Sequence, residues 1–289
     1  MPESLTDALA RASGRPAQWS AVADGWARRR AYVWEVSREV GQRLVDALAP
    51  QPGETVLELA AGPGDTGFLA APRLQPGGRL LSTDVAPEMV EAARARAAEL
   101  GLSNVEHLLV DAQAIPLADA SVDAVLCRWG YMLVPDPALA LAETRRVLRP
   151  GGRVAFAVWA EARENPWGTA VGKALLERGH IERPDPDAPG PFRLGERARV
   201  RELVLAAGFA EPAFEEVAVT WRYESFEDYW QVTADLSFLL RTALGLLGEE
   251  ELAHVRALAQ EALAGYADGR GRLAVPGLCR NVVARAPDA

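Results

Sequence analysis

The chain of 289 residues is 49% hydrophobic and 25% charged, which suits one domain of ordinary size with a buried core plus a sizeable addition. Its formal net charge of −9 and pI of about 5.1 argue against a nucleic-acid substrate held mainly through phosphate contacts. The two cysteines and three scattered histidines give no disulfide framework and no metal-ligand spacing, so we expect no metal site and no Ser-His-Asp triad.

The start of the chain lacks the signal-peptide pattern of a basic segment followed by an apolar run, and no apolar run is long enough to span a membrane. We therefore expect a cytoplasmic protein without a membrane span. The sequence leaves the oligomeric state open, and a homodimer is one option.

Residues 1–49 are predicted to be helical. Trp19 and Trp26 recur at helical spacing, and a second helix is predicted from residue 31 to residue 49. Two interpretations stay open: these helices cover the domain, or they form part of a lid over a ligand cleft. The basic run Arg28–Arg30 is interpreted as a solvated face rather than a substrate clamp.

A glycine-rich loop after a short predicted strand is the strongest signal in the chain. Residues 56–59 form that strand and include one acid, Glu58, and glycines follow at positions 62, 64 and 67. Glycine lets the backbone turn tightly and lets a ligand approach without meeting a Cβ atom. A helix is predicted to begin near Asp65, so that its free N–H groups face the ligand.

Three interpretations compete for this loop. It can be a plain turn, or it can hold a pyrophosphate, because Gly62-x-Gly64-x-x-Gly67 fits the dinucleotide fingerprint. An acid four residues before Gly62 is unfavourable beside a pyrophosphate and suits a ligand with a cationic ammonium and sulfonium end. The pattern Glu58-x-Ala60-x-Gly62-x-Gly64 resembles the first motif of the class I S-adenosylmethionine-dependent methyltransferases, in which the position of Ala60 is usually Gly.

Two further acids follow predicted strands. The second strand, Arg79–Ser82, leads to Asp84, about 20 residues past the glycine loop, where an acid can accept hydrogen bonds from both ribose hydroxyls. The third strand, Val105–Val110, leads to Asp111, which can accept from an adenine amino group. Both nucleotide-binding families place an acid at the position of Asp84, so that residue does not discriminate between them.

The resemblance strengthens beyond the third strand. Asp111-Ala112, Ile115–Leu117 and Asp119–Asp123 are similar to the ubiquinone/menaquinone-biosynthesis-like branch of these methyltransferases, the type 11 methyltransferase domain. The segment Leu148–Arg153, before the fifth predicted strand, is similar to that branch as well. Asp123 is interpreted as a structural residue.

The residues after the fourth predicted strand, Val122–Cys127, are the place to look for substrate contacts, because ligands of doubly wound sheets bind at the carboxyl ends of the strands. Arg128 can pair there with a carboxylate. Trp129 and Tyr131 can form an aromatic wall beside a reacting methyl group. The reaction of a neutral nucleophile needs no base; the weak candidates for one are Tyr32, Tyr131, Tyr229, His180 and His254.

The predicted fold is α/β: a Rossmann-like, seven-stranded, mostly parallel sheet with helices on both faces and an antiparallel last strand. The fifth, sixth and seventh strands are predicted at Arg153–Trp159, Ala213–Thr220 and Leu278–Arg285, with further helices at 166–178 and 194–207 and a loop at 183–191. The predicted domains are residues 1–49 (N-terminal helices, part of a lid), 50–223 with 269–289 (the S-adenosylmethionine-binding α/β domain) and 224–268 (a helical cap between strands six and seven).

The resemblance implies roles for single residues. Glu58 would hold the loop and face the methionine ammonium, and Asp84 would bind the ribose. The cofactor-binding residues predicted in this way are Glu58, Ala60, Gly62, Gly64, Asp84, Val85, Met89, Asp111, Ala112 and Arg128, and the predicted substrate-binding residues are Tyr32, Trp129, Tyr131 and Trp230.

The leading hypothesis is S-adenosylmethionine-dependent methylation of a small-molecule acceptor on oxygen, nitrogen or carbon, by in-line displacement in a capped pocket. Two alternatives stay open. One is a nicotinamide-dependent oxidoreductase that uses the same glycine loop, and the other is a non-catalytic S-adenosylmethionine-binding protein.

Overall fold

A single seven-stranded sheet organises the chain. The computed structural model describes residues 5–12, 16–183 and 185–288, with residues 9–12 described by their backbone only. The sheet order is β3-β2-β1-β4-β5-β7-β6, in which β7 alone runs antiparallel to its neighbours, as predicted. The strands are β1 Thr55–Glu58, β2 Arg79–Asp84, β3 Val105–Leu109, β4 Val122–Arg128, β5 Leu148–Trp159, β6 Ala213–Tyr223 and β7 Leu273–Arg285.

Helices pack around this sheet. None of the helices in the described part of the chain is long and apolar enough to cross a membrane. The predicted helix over residues 1–30 falls partly on residues 1–4 and 13–15, which lie outside the described residues, as does Pro184 of the predicted 183–191 loop. The α-helices are α1 Leu5–Ala12, α2 Pro16–Leu48, α3 Gly67–Ala70, α4 Pro87–Glu99, α5 Pro137–Val147, α6 Ala170–Glu177, α7 Arg197–Ala206, α8 Phe226–Leu236, α9 Phe238–Leu246 and α10 Glu249–Leu263.

Helix α2 is one continuous helix of 33 residues where the sequence predicts two separate segments. Its C-terminal half lies on the sheet, where Val40, Leu44 and Val45 are fully buried and Asn281 of β7 donates to the Val40 carbonyl oxygen at 3.1 Å. Its N-terminal half continues to α4 and α8. One helix therefore connects the sheet with the region between β6 and β7.

Three helices, α8 to α10, stand between β6 and β7, as predicted for the cap. Strand β7, however, begins at Leu273 and not at the predicted Leu278, so that Pro276 lies within it opposite Thr220. The ladder between β5 and β7 starts only at Cys279. Upstream of that residue β7 has no partner strand on the β5 side, and proline is tolerated at such an edge because no ladder hydrogen bond is lost.

Several other boundaries differ from the predictions; β6, for example, continues to Tyr223 and α7 begins at Arg197 rather than at Leu194. The helix expected from Asp65 begins at Gly67 and has four residues, continued by a 3-10 turn from Ala71 to Leu74. Strand β5 begins at Leu148, five residues before the predicted Arg153, because Leu148 pairs with Val122 across an irregular register. The structural interpretation of Asp123 agrees with its contact: its Oδ2 accepts the Thr55 N–H at 2.8 Å.

Candidate active site

The glycine loop leaves β1 where the strand order changes direction between β2 and β4, which is the usual ligand position in an open α/β sheet. Gly62 and Gly64 have φ values of 54° and 91°. A Cβ atom on Gly64 would lie 2.3 Å from the Phe68 ring, so a side chain at that position would require the ring to move. Ala60 also has a positive φ, 51°, which explains why glycine is favoured at its position.

Glu58 is buried beneath this loop, with 1% of its surface exposed. Its Oε1 accepts the Gly67 N–H at 2.7 Å, whereas Oε2 is buried without a hydrogen-bond partner. Burial raises the pKa of this carboxyl group to about 8, against the opposing effects of the Gly67 N–H and the Arg128 charge. A Cβ on Gly67 would lie 2.1 Å from Oε2, so the loop closes directly over the carboxylate.

Asp84, at the end of β2, joins the glycine loop to the next loop. Its Oδ2 accepts the Gly62 N–H at 2.9 Å and its Oδ1 accepts the Ala86 N–H at 3.0 Å. Burial raises the pKa of Asp84 although the backbone N–H groups oppose this shift. The neighbouring Val85 is half-buried. Each carboxylate oxygen has a second lone pair, so the ribose contact predicted for Asp84 stays compatible with these bonds.

Arg128 ends β4 and reaches toward the same loop. Its Nε donates to the Thr66 hydroxyl at 2.7 Å, and its guanidinium carbon lies 4.5 Å from the centre of the Trp129 ring. Its Nη1 is buried without a partner, and Arg128 forms no ion pair with another described residue. Burial lowers the pKa of Arg128, while the negative charges of Asp65 and Glu58 oppose the shift.

Two unpartnered buried atoms of opposite charge type thus flank the loop, Oε2 of Glu58 and Nη1 of Arg128. Buried polar atoms are nearly always hydrogen-bonded in native proteins, so each such exception needs an explanation. A carboxylate oxygen accepts from an ammonium group, and a guanidinium donates to a carboxylate. The pair therefore fits the amino-acid end of a ligand that carries both groups.

The predicted adenine-side residues lie past β2 and β3. Asp111 is exposed, and its Oδ1 accepts the backbone N–H of Gln113 at 2.9 Å. Ala112 is half-buried. Met89 is buried in a small cluster with Ala23 and Ala86, against which two tryptophans of α2, Trp19 and Trp26, pack. Helix α2 therefore packs against the loop that follows β2.

An aromatic cluster begins at Trp129, whose ring the Arg128 guanidinium contacts. Trp129 has a φ of 63°, a rare conformation for a bulky residue, and stacks on Trp159 with ring centres 4.3 Å apart. The contacts continue from Trp159 to Trp167 at 4.7 Å and from Trp167 to Trp221 at 4.6 Å. Tyr32 of α2 lies 5.9 Å from the Trp221 ring. Sequence reasoning identified Tyr32 and Trp129 but missed the other three, although two of them stand at or near strand ends.

Residues 50–178 match a family model described as a methyltransferase domain. This match covers the glycine loop, Glu58, Asp84, Asp111 and Arg128. This similarity to a methyltransferase domain spans less than half of the chain.

Several curated relatives of this segment carry methyltransferase names. Arsenite methyltransferase of Halobacterium salinarum is 43% identical over 108 residues, 37% of this chain and 28% of the relative. Aklanonic acid methyltransferase DauC of Streptomyces sp. strain C5 is 38% identical over 117 residues, which are 40% of this chain and 53% of the relative. Nocamycin O-methyltransferase of Saccharothrix syringae is 38% identical over 120 residues, which are 42% of this chain and 43% of the relative. The matches span about half or less of the curated relatives' length.

Solved structures share the fold of the domain. YcgJ of Bacillus subtilis superposes with a TM-score of 0.61 at 17% identity, over 87% of this chain and 100% of that one. Phosphoethanolamine N-methyltransferase 2 of Haemonchus contortus, solved with S-adenosyl-L-methionine, gives a TM-score of 0.53 at 15% identity, over 86% and 53%. The cyclase SpnF gives 0.55 at 20% identity, over 87% and 81%. At these identities the likeness concerns the fold alone.

The arginines of the basic run before the methyltransferase domain are ion-paired, and Arg28 keeps a side chain that is 60% exposed. Arg28 and Arg29 both pair with Asp235, near the end of α8, at 2.6 and 2.7 Å. Arg30 pairs with Asp65 of the glycine loop at 2.7 Å. The run therefore ties α2 to the cap on one side and to the cofactor loop on the other.

Two of the predicted substrate contacts, Tyr131 and Trp230, are buried and make packing contacts of their own. Tyr131 is 1% exposed and donates to the Thr144 hydroxyl at 2.6 Å, because Thr144 itself donates to the Ala140 carbonyl oxygen. Trp230 is buried in the cap, where it contacts the Phe226 ring and the Arg256 guanidinium. Through its bond to Thr144, Tyr131 packs against α5.

The candidate bases also lie elsewhere. His180 Nε2 is 3.0 Å from Glu251 Oε2, and His254 Nδ1 is 3.7 Å from Glu251 Oε1, so both rings belong to the contact between the end of α6 and α10. The Tyr229 hydroxyl donates to the Trp167 carbonyl oxygen at 3.1 Å. Tyr32, at the edge of the aromatic cluster, donates to the Arg222 carbonyl oxygen at 3.0 Å. We therefore assign none of these candidates as a catalytic base.

Proposed function

We propose that the protein transfers the methyl group of S-adenosylmethionine to a small-molecule acceptor. The observation that carries this proposal is the pair of buried, unpartnered atoms, Glu58 Oε2 and Arg128 Nη1, whose side chains contact Gly67 and Thr66 of the glycine loop. A pyrophosphate offers no ammonium group to the buried Oε2 of Glu58, which makes the nicotinamide-dependent alternative unfavourable. The ammonium and carboxylate of the methionine end match both atoms.

The roles of the chain's own residues follow from this match. Arg128 would bind the methionine carboxylate through Nη1, held in place by its bond to Thr66. Glu58 would hold the loop through Gly67 and accept from the ammonium through Oε2. Asp84 would bind the ribose, and Asp111 with Ala112 the adenine edge, where Met89 packs. The bound cofactor supplies a methyl group on a positively charged sulfur.

The small size of the acceptor is inferred from the cover of the site. Helix α2 contacts both the glycine loop and the cap, which fits a lid that limits access and excludes water. We assign residues 1–49 to that lid, residues 224–268 to the cap, and the remainder to the cofactor-binding domain. Two relatives are named for methylation of aklanonic acid and nocamycin, which supports a small acceptor.

Isothermal titration calorimetry with S-adenosylmethionine and S-adenosylhomocysteine tests the cofactor assignment. We expect both ligands to bind, and Arg128→Met to weaken binding by about tenfold or more through loss of a charge-assisted hydrogen bond. The exposed Arg38→Met, on α2, is the matched control and should bind as the unaltered protein does. Tight binding of NADH in place of these ligands would contradict the proposal.

Turnover needs a second measurement, because a cyclase shares the fold. Transfer of tritium from methyl-labelled S-adenosylmethionine to small-molecule extract fractions is expected. Cofactor binding without transfer to any fraction would favour the non-catalytic binding protein instead.

A further inference from the structure

Two arginines contact neighbouring residues of the glycine loop. Nη1 of Arg30, on α2, lies 2.7 Å from Asp65 Oδ1, and Nε of Arg128, at the end of β4, donates to the Thr66 hydroxyl at 2.7 Å. Only the first of these arginines is paired with a carboxylate. Within the described residues Arg128 forms no ion pair, and its Nη1 is buried without a hydrogen-bond partner.

Asp65 is the described carboxylate that acts most strongly on Arg128. Burial lowers the pKa of Arg128, and among the charges that oppose this shift that of Asp65 has the largest effect, ahead of Glu58. The Asp65 side chain is 9% exposed, so water screens its charge only weakly. Because Asp65 adjoins the residue that already accepts from Arg128, the two opposite charges can meet once Asp65 loses its present partner.

An ion pair between Asp65 and Arg128 would compete with the cofactor. The Asp65 carboxylate and the carboxylate of the methionine end have the same chemistry, so both are acceptors for Arg128 Nη1. The ion pair with Arg30 holds Asp65 on the side of α2. Loss of Arg30 would leave a poorly exposed carboxylate without a counter-charge, which strongly favours a new pairing with the nearest free arginine.

We propose that Arg30 is a positioning residue for cofactor binding: by holding Asp65 it keeps Arg128 Nη1 free for the carboxylate of the methionine end. This inference rests on the proposed function, in which Arg128 binds that carboxylate. It gives α2, which precedes the segment 50–178 matched by the family model, a role in cofactor affinity. The damage caused by losing Arg30 then comes from the freed Asp65 and not from the loss of an ion pair as such.

Helix α2 has other contacts that keep it in place without Arg30. Val40 and Leu44 are fully buried against the sheet. A Cβ atom on Gly41 would lie 3.4 Å from Thr66 Oγ1, so the helix also packs directly on the glycine loop. A substitution of Arg30 should therefore change the charges around the loop while the helix stays docked.

Calorimetric titration with S-adenosylhomocysteine of three variants tests the inference. Arg30→Met should weaken binding by about tenfold, because Asp65 then occupies Arg128. Asp65→Asn alone should bind within about threefold of the unaltered protein, and the double variant Arg30→Met/Asp65→Asn should regain that affinity. An ion pair that merely stabilised the loop would give the opposite pattern, since all three variants break it and all three would bind weakly.

A ligand without a carboxylate gives a second measurement. 5′-Methylthioadenosine shares the nucleoside and sulfur of the cofactor but lacks the amino-acid end. Arg30→Met should leave its affinity within about twofold, because this ligand has no group for Arg128 Nη1. Arg28→Met, two residues earlier on α2, is the matched control and should leave both affinities within about twofold, since Asp235 keeps its pairing with Arg29.

The outcomes separate the inference from the proposed function. Unchanged S-adenosylhomocysteine binding by Arg30→Met, weak binding by Asp65→Asn or by the double variant, or an equal loss for methylthioadenosine would overturn the inference and leave the proposed function standing. Should Arg30→Met not fold, normal affinity of the two Asp65→Asn proteins still supports the inference, because a purely structural ion pair requires both to bind weakly. Failure of the unaltered protein to bind S-adenosylhomocysteine would instead overturn the proposed function.

Discussion

At the scale of single residues, the burial of Glu58 links the cofactor loop to pH. The carboxyl group has a pKa of about 8 in the folded protein and an ordinary value of 4.5, because burial penalises its charged form. Between these values the folded protein keeps a proton that the unfolded chain releases. The free energy of unfolding therefore falls as pH rises from 4.5 to about 8, and the loss is complete above that range.

Glu58→Gln should flatten this dependence. We expect the free energy of unfolding of the unaltered, cofactor-free protein to decrease by up to about 1.4 kcal/mol per pH unit between pH 5 and pH 8 from this group, while Glu58→Gln loses that component. Urea denaturation at each pH gives the slopes. Glu177→Gln, at an exposed position on α6, should keep the slope of the unaltered protein. An identical slope in Glu58→Gln would refute the assigned burial effect.

The Tyr131 hydroxyl gives a second test at this scale. Tyr131→Phe removes its bond to Thr144 and should lower the free energy of unfolding by about 1 kcal/mol. S-adenosylhomocysteine affinity, measured by calorimetry, should stay the same because the residue lies in the core. Tyr266→Phe, at a half-buried position after α10, should leave stability nearly unchanged. A loss of cofactor affinity in Tyr131→Phe without a loss of stability would return this residue to the active site.

At the scale of elements, α2 and α8 pack so closely that only glycine fits at their contact. A Cβ atom on Gly25 would lie 2.0 Å from the Asp235 carbonyl oxygen. Around it, Trp26 Nε1 donates to the Leu236 carbonyl oxygen at 3.3 Å, and Arg28 and Arg29 pair with Asp235. This contact holds the N-terminal half of α2 against the cap.

Gly25→Ala should reverse the usual sign of a glycine-to-alanine change in a helix. Alanine normally stabilises a helix interior by about 0.5–1 kcal/mol, and Gly245→Ala in α9 should show this gain because nothing lies within 4 Å of its new Cβ. At Gly25 the collision with backbone should instead cost about 1–3 kcal/mol. Urea denaturation compares the two variants. A stabilised Gly25→Ala protein would show that the two helices are not in close contact.

At the scale of the whole molecule, the site is assembled from residues far apart in the chain. Glu58, Asp84, Asp111 and Arg128 follow or end four different strands, and the sheet order brings those strand ends to one edge. Helix α2 contacts the glycine loop through Arg30 and the cap through Arg28 and Arg29. Cofactor binding to such an assembled site should stabilise the entire fold, because the unfolded chain cannot present it.

Thermal unfolding measures that stabilisation. S-adenosylhomocysteine at about 100 times its Kd should add about 2.7 kcal/mol, which raises the Tm by several degrees for a chain of this size. NADH at the same concentration should leave the Tm unchanged, and the Arg128→Met variant should require more S-adenosylhomocysteine for the same shift. An equal rise with NADH would revive the dinucleotide interpretation of the loop.

The sequence alone determined the features that depend on local geometry. Apolar periodicity and glycine positions predicted the seven strands, and the Glu58-to-Gly64 pattern indicated the cofactor loop. Both signals are local, because a tight turn requires glycine and a buried strand requires apolar residues at nearby positions of the sequence. The tertiary structure decided every feature that depends on distant partners. Arg28 meets Asp235 across 207 positions, and Trp129 meets Cys279 across 150. Periodicity marks which face of an element is apolar, but packing chooses what that face meets, which is why the structure alone separated Tyr131 in the core from Trp221 in the aromatic cluster.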